Sequence, residues 1–251
     1  MAANQKKTTV YNSSKIGKKP MPDFSELSRL FAGSDVLSIT LFTLSISLTA
    51  TLISVFLGVP TGILLATHQF RGKKILCAFL NFGMGLPPVV VGLIVSLIFW
   101  RYGPLGFLNL MYTPSAIIIV QTIVATPIVA SLSFSAICSL NEKLYLQLLS
   151  LGATPLQAIR YLIHEARIGL VAAVIAGFGR IVSEVGASMM VGGNIKGQTR
   201  VLATATVLEV GKGNYGFALM IGAILLLVTF LVVWCMTYLQ YKSMKLVRIA
   251  K

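Results

Sequence analysis

The chain has 251 residues, of which 56% are hydrophobic and 11% charged. Soluble domains carry about 25% charged residues, so a single water-facing core cannot hold this much apolar surface, and the bilayer is its natural solvent. A formal charge of +14, from 21 basic and 7 acidic residues, would suggest nucleic acid in a soluble protein, but here the basic residues sit between apolar runs, where they match anionic headgroups and orient spans, so no nucleic-acid partner is expected.

Met1 to Met21 are polar and carry five lysines without an apolar stretch, so they read as a tail and not as a cleaved signal. Phe24, Leu27, Leu30 and Phe31 recur at helical spacing. They fit either a short helix lying flat on the membrane interface or a plain linker. Five long apolar runs follow, roughly Val36–Ala66, Ile75–Trp100, Ser115–Ile137, Ile168–Val191 and Phe217–Tyr238. Each exceeds the ~20 residues that a helix needs to cross ~30 Å of hydrocarbon. No strand-like alternation is visible, which argues against a β-barrel. Cys77, Cys138 and Cys235 lie in or beside these runs without C-x-x-C spacing. They read as small buried apolar residues, with no disulfide framework and no metal site.

Basic residues near the spans set the orientation. Arg71, Lys73 and Lys74, then Lys143, Arg160 and Arg167, then Lys242, Lys245, Arg248 and Lys251 lie on one side. Charges far from a span count little, and most of the N-terminal lysines are far. Loops 1–2 and 3–4 and the C-terminus are therefore expected in the cytoplasm, with the N-terminus outside. Gly58, Pro60 and Gly62 interrupt the first run, Gly83, Gly85, Pro87 and Pro88 the second, and Pro127 the third. Gly58 and Gly62 form a small-x-x-x-small pair suited to close helix contact. Freed backbone groups in a bilayer need protein or cavity water, so the same kinks could also shape a passage.

The stretch from Asn141 to Arg167 is too polar to span and too patterned for a plain connector. A first helix is expected from Glu142 to Leu151, ended by Gly152, which tolerates positive φ. Thr154 is a candidate N-cap, Pro155 takes the first helical position, and Gln157 completes a capping box. Leu156, Ile159, Leu162 and Ile163 then share one face. This helix–glycine–helix hairpin is a ready docking surface for a partner.

Leu151-Gly152-Ala153-Thr154, followed by a second helix and a span, resembles the coupling loop of ABC-importer permeases. The sequence keeps the family's glycine as Gly152. It has Leu146, Gln147 and Leu148 where Glu-Ala-Ala is usual, and His164-Glu165-Ala166-Arg167 near the usual leucine-proline. Thr40 onward, ending in Gly58-Val59-Pro60-Thr61-Gly62-Ile63-Leu64-Leu65-Ala66, looks like the opening helix of the permease core. The run from Gly177 to Ala187, continuing through Val191-Gly192-Gly193-Asn194-Ile195 and Thr199-Arg200-Val201-Leu202, is similar to the tungstate-uptake branch of the molybdate/tungstate/sulfate importers. The resemblance spans Val36 to Tyr238.

It implies an all-α integral membrane fold, a type I importer permease core of about five spans. The implied division is a basic tail over 1–35, a permease domain over 36–240 with a coupling loop at 139–167, and a basic tail over 241–251. The implied function is uptake of a tetrahedral oxyanion, tungstate first and molybdate or sulfate as alternatives, across a prokaryotic plasma membrane. The implied partners are a second permease copy, a cytoplasmic ATP-binding cassette ATPase dimer that docks on Leu151, Gly152, Ala153, Thr154 and Pro155, and an extracytoplasmic substrate-binding protein.

Arg180 and Glu184 fall inside the fourth run at i and i+4, which would put them on one helix face. A charge within a span costs at least ~2.5 kcal/mol and faces a partner or a wet cavity. The pair reads either as a neutral structural link or, with Gly186, as part of a passage wall. Lys196 and Arg200 lie in a glycine-rich turn that could meet an anion, contact a binding protein, or be plainly solvated.

An intramembrane enzyme is the rival class, and its motifs fail. His164-Glu165 would need a second histidine where Ile168 stands, and the only aspartates, Asp23 and Asp35, precede the first span. No phosphate-binding glycine loop with lysine appears, so ATP hydrolysis belongs to another chain. No catalytic residue, cofactor or metal is expected. A passive channel would need no docking hairpin.

Overall fold

The computed structural model describes residues 34–140 and 143–249. The N-terminal tail, with the Phe24–Phe31 stretch, lies outside the described residues. Ten α-helices occur among the described residues, and no strand. They are α1 (Ser34–Thr67), α2 (Lys73–Gly85), α3 (Pro88–Phe99), α4 (Pro114–Cys138), α5 (Leu144–Ser150), α6 (Pro155–Glu165), α7 (Arg167–Val182), α8 (Gly186–Gly192), α9 (Leu202–Gly211) and α10 (Tyr215–Ile249).

Among the described residues, three helices are long and apolar enough to cross a membrane unaided, namely Val36–Thr67, Pro114–Cys138 and Tyr215–Tyr238. The other two expected crossings are broken. The second run splits into α2 and α3, bent by 102°. Leu86 and Pro87 hold extended backbone at the break, with ψ of 130° and 118°. A residue before proline is pushed out of the helical region, and Pro88 then restarts the helix at its first position, where a missing N–H costs nothing. The fourth run is not one helix either. Residues 16 in number from Arg167 to Val182 form α7, which reaches only about 24 Å, and α8 resumes after Ser183–Val185.

The bundle is organised around α4, which packs on α1, α7, α2 and α8. The α1–α4 crossing is set by the glycine pair. A Cβ at Gly58 would lie 2.9 Å from Val129 Cβ, and one at Gly62 would lie 2.6 Å from the Ala130 carbonyl oxygen. Packing is thus the role these two glycines visibly fill, and Pro60 leaves α1 continuous. The cysteines correct the reading above. Cys138 and Cys235 are exposed on the chain and Cys77 is half-buried. An apolar run marks contact with lipid as well as with protein, so it does not tell which face a residue takes.

The hydroxyls of α1 form a buried stripe at Thr43, Ser47, Thr51 and Ser54. Thr43 Oγ1 donates to the Ile39 carbonyl at 2.7 Å and Thr51 Oγ1 to the Ser47 carbonyl at 2.6 Å. Small hydroxyls satisfied by their own helix can therefore face a packed apolar neighbour.

Candidate coupling and translocation site

The hairpin between α4 and α7 forms largely as its residues dictate. Helix α5 runs from Leu144 to Ser150, shorter than expected, and Glu142 lies outside the described residues. Gly152 has φ of +86°. Its N–H bonds to the Leu149 carbonyl and that of Ala153 to the Leu148 carbonyl, both at 3.0 Å. This pair of bonds is a Schellman ending, which requires a left-handed residue at the glycine position. The Thr154 hydroxyl accepts from Gln157 N–H at 3.4 Å while Gln157 Oε1 accepts from Thr154 N–H at 2.8 Å, and Pro155 opens α6. The capping box is complete.

The apolar face expected on α6 divides. Leu162 and Ala158 are buried, and Leu162 packs with Ile63, Ile137, Ala166 and Leu170, so α6 is anchored to the bundle. Leu156 and Ile163 instead point outward. Leu151 is 85% exposed, Leu156 69% and Leu146 63%. Lys143, Leu146, Gln147, Ser150 and Leu151 line a shallow groove on α5. The hairpin thus holds one side on the bundle and offers an apolar surface on the other, around the Gly152 turn.

Arg180 and Glu184 do not share a helix face. Arg180 lies in the last turn of α7, and Glu184 lies beyond its end. No ion pair joins them among the described residues. Glu184 is 6% exposed, and its Oε1 accepts the Ala187 N–H at 2.8 Å. It satisfies a donor at the start of α8, where helical N–H groups lack partners. The enclosed Arg180 Nε has no hydrogen-bond partner. Gly186 is needed for contact: a Cβ there would lie 2.4 Å from Val89 Cγ2, as one at Gly92 would lie 2.6 Å from Ala187 Cα. Helix α8 therefore presses on α3 through two glycines.

Two polar residues that the sequence reading missed tie α8 to α4. Gln121, 2% exposed, donates from Nε2 to Ser188 Oγ at 3.2 Å. The signal was a lone glutamine inside an otherwise apolar span. Its Oε1 has no partner.

The glycine-rich turn is not a loose loop. The Thr199 hydroxyl donates to the Gly192 carbonyl and accepts from Ile195 N–H at 2.9 Å. Asn194, at φ +54°, bonds Thr204 through both ends of its amide, and Arg200 Nη2 donates to the Asn194 carbonyl at 3.3 Å. Lys196 is exposed, and Arg200 is half-buried.

The absence of an Arg180–Glu184 ion pair has a measurable consequence. Neutralising both in a double-mutant cycle, with glutamine at each position, is expected to give additive losses of folded yield, within about 0.5 kcal/mol. Glu184→Gln keeps an acceptor for Ala187 N–H. Glu184→Ala removes it and is expected to cost about 1–2 kcal/mol. Thermal stability in detergent reads both. Strong coupling between positions 180 and 184 would show that the two charges do meet.

A family model described as the binding-protein-dependent transport system inner membrane component matches residues 58–244. The chain belongs to this family. Among relatives, a probable anion ABC transporter permease protein of Haloferax volcanii is 40% identical over 196 residues, 76% of this chain and 84% of that protein. The tungstate uptake system permease protein TupB of Peptoclostridium acidaminophilum is 38% identical over 195 residues, 78% of this chain and 86% of that protein. Among solved structures, an inward-facing MetNI methionine ABC transporter chain superposes with a TM-score of 0.62 at 20% identity, covering 92% of this permease and all of that chain. That likeness supports the importer-permease fold. The permease is a multi-pass component of the inner membrane.

Proposed function

We propose that this permease moves tungstate inward, in a homodimer driven by a separate cytoplasmic ATPase pair and fed by an external binding protein. The carrying observation is the similarity to a tungstate permease over three quarters of the chain. Relatives named for molybdenum or sulfate are more distant. The hairpin fits the ATPase-docking role because it is anchored by Leu162 and leaves Leu151, Leu156 and Leu146 open. Leu151, Gly152, Ala153, Thr154 and Pro155 are its coupling residues. Arg180, Glu184 and Gly186 stand at the break between α7 and α8, where a passage wall could change shape. Lys196 and Arg200 line a cavity with Val36 and Ile39, at the end of α1 away from the hairpin, and with the hairpin in the cytoplasm they would face the outside.

Deleting the gene in its host and measuring cellular tungsten and molybdenum by mass spectrometry at trace supply tests the substrate. The expected result is loss of most tungsten accumulation, restored by the gene in trans, with molybdenum changed less. Unchanged tungsten in a host with no second importer contradicts the proposal.

A further inference from the structure

Lys196, Arg200 and Lys212 line a cavity near the start of α1. The space is about 280 Å³ and is lined by Lys196, Arg200, Glu209 and Lys212 together with apolar residues such as Ile39 and Phe217. A water occupies about 30 Å³ of liquid, so a four-oxygen anion fits with part of its hydration shell. We propose that this cavity is a binding site for a tetrahedral oxyanion, held by Arg200 and Lys212 with Lys196 at its edge.

Three observations support it. First, among the described lining residues cations outnumber carboxylates. The carboxylate among the described lining residues, Glu209, is engaged by Lys212 Nζ at 2.7 Å and Asn214 Nδ2 at 3.1 Å. Second, Arg200 donates to a single carbonyl, that of Asn194, and its enclosed Nε has no partner. A guanidinium has five N–H donors in a planar fork suited to oxyanions. An anion in the cavity supplies acceptors that the chain alone does not. Third, the basic side chains of the lining bear on the carboxyl beside them. Burial pushes the Glu209 carboxyl up, yet the bonds from Lys212 and Asn214 and the charges of Lys212 and Arg200 outweigh it and hold that carboxyl below its usual range.

The same chemistry has two sources. One is a free oxyanion such as tungstate or phosphate. The other is the phosphodiester of an anionic lipid, whose chains would lie along the apolar starts of α1 and α10. The cavity chemistry stands apart from the import reading, and only the identity of a free anion rests on it.

The test uses the complete permease–ATPase complex, without binding protein, in nanodiscs of phosphatidylcholine alone or mixed equally with phosphatidylglycerol. Sodium tungstate and inorganic phosphate are titrated calorimetrically, and retained lipid is counted by native mass spectrometry. A free-anion site predicts saturable tungstate and phosphate binding in the neutral discs. A lipid site predicts retained phosphatidylglycerol that excludes both anions. In either case Arg200→Gln is expected to weaken binding about tenfold or more, and Arg200→Lys less. Lys212→Gln, a more exposed position, is the second variant, and co-elution with the ATPase verifies folding. No binding and no retained lipid in the parent, or the same binding in the Arg200→Gln and Lys212→Gln complexes, overturns the proposal. Tungsten uptake by the parent complex with its binding protein, measured alongside, separates the two readings. Uptake without this binding leaves import standing and removes the site. Arg200-dependent phosphate or lipid binding without uptake does the reverse.

Discussion

Gly152→Asp is expected to abolish coupled transport while the permease still inserts and folds. Position 152 sits at φ +86°, where a side chain is strained by roughly 1–2 kcal/mol relative to glycine. A Cβ there meets nothing within 4 Å, so the chain itself does not clash. Domain stability of about 5–15 kcal/mol tolerates such a strain. The larger effect falls on the partner. Leu151 next to the turn is 85% exposed, and a carboxylate placed where that surface closes would be buried unpaired, at a cost of several kcal/mol. Each 1.4 kcal/mol is about tenfold in association, so ATPase binding or binding-protein-stimulated hydrolysis should fall more than about tenfold. Gly152→Asn is the control, since asparagine tolerates the left-handed region and adds no charge, and it should retain much of the activity. Co-elution and stimulated ATP hydrolysis in lipid measure both variants. An aspartate variant that assembles, hydrolyses and transports like the parent means the hairpin is not the coupling site.

Gly62→Val should instead prevent folding. Its Cβ would lie 2.6 Å from the Ala130 carbonyl oxygen, 2.7 Å from Ser133 Cβ and 2.8 Å from Phe134 N. Two of these are backbone atoms of α4, which cannot swing aside as a flexible side chain would. The α1–α4 crossing is the most extensive in the bundle. Overpacking typically costs about 1–3 kcal/mol, and a clash with helix backbone belongs at or above the top of that range. Gly179→Ala is the matched control, because a Cβ at Gly179 meets nothing within 4 Å. It should fold as well as the parent or better, since alanine gains up to about 1 kcal/mol over glycine within a helix. Monodisperse yield after heating compares them. A Gly62→Val permease as stable as the parent would show that α1 and α4 do not approach this closely.

What the sequence disclosed was what local chemistry determines. The Gly152 turn, the Thr154–Gln157 box and the start at Pro155 each follow from a few adjacent residues. The Gly58–Gly62 contact follows from spacing alone. The break after Pro87 was marked by its prolines, though not its angle. What stayed hidden depends on neighbours distant in the chain. No proline marks the break at Ser183–Val185, so the fourth run read as one helix and Arg180 and Glu184 as a pair. Gly186 gains its meaning only from Val89, and Gln121 only from Ser188. The same limit misplaced Cys138 and Cys235, because an apolar residue in this chain is owed to lipid, to the bundle or to a partner.

Coupled tungstate import is tested most directly in proteoliposomes that contain the permease with its ATPase, with ATP trapped in the lumen and the loaded binding protein outside. Lumenal tungsten, read by mass spectrometry, is predicted to rise above the external free concentration only with ATP and binding protein, and to stay low in Gly152→Asp. Tungsten that merely equilibrates without ATP, or a different anion accumulated while tungsten is not, would contradict the account.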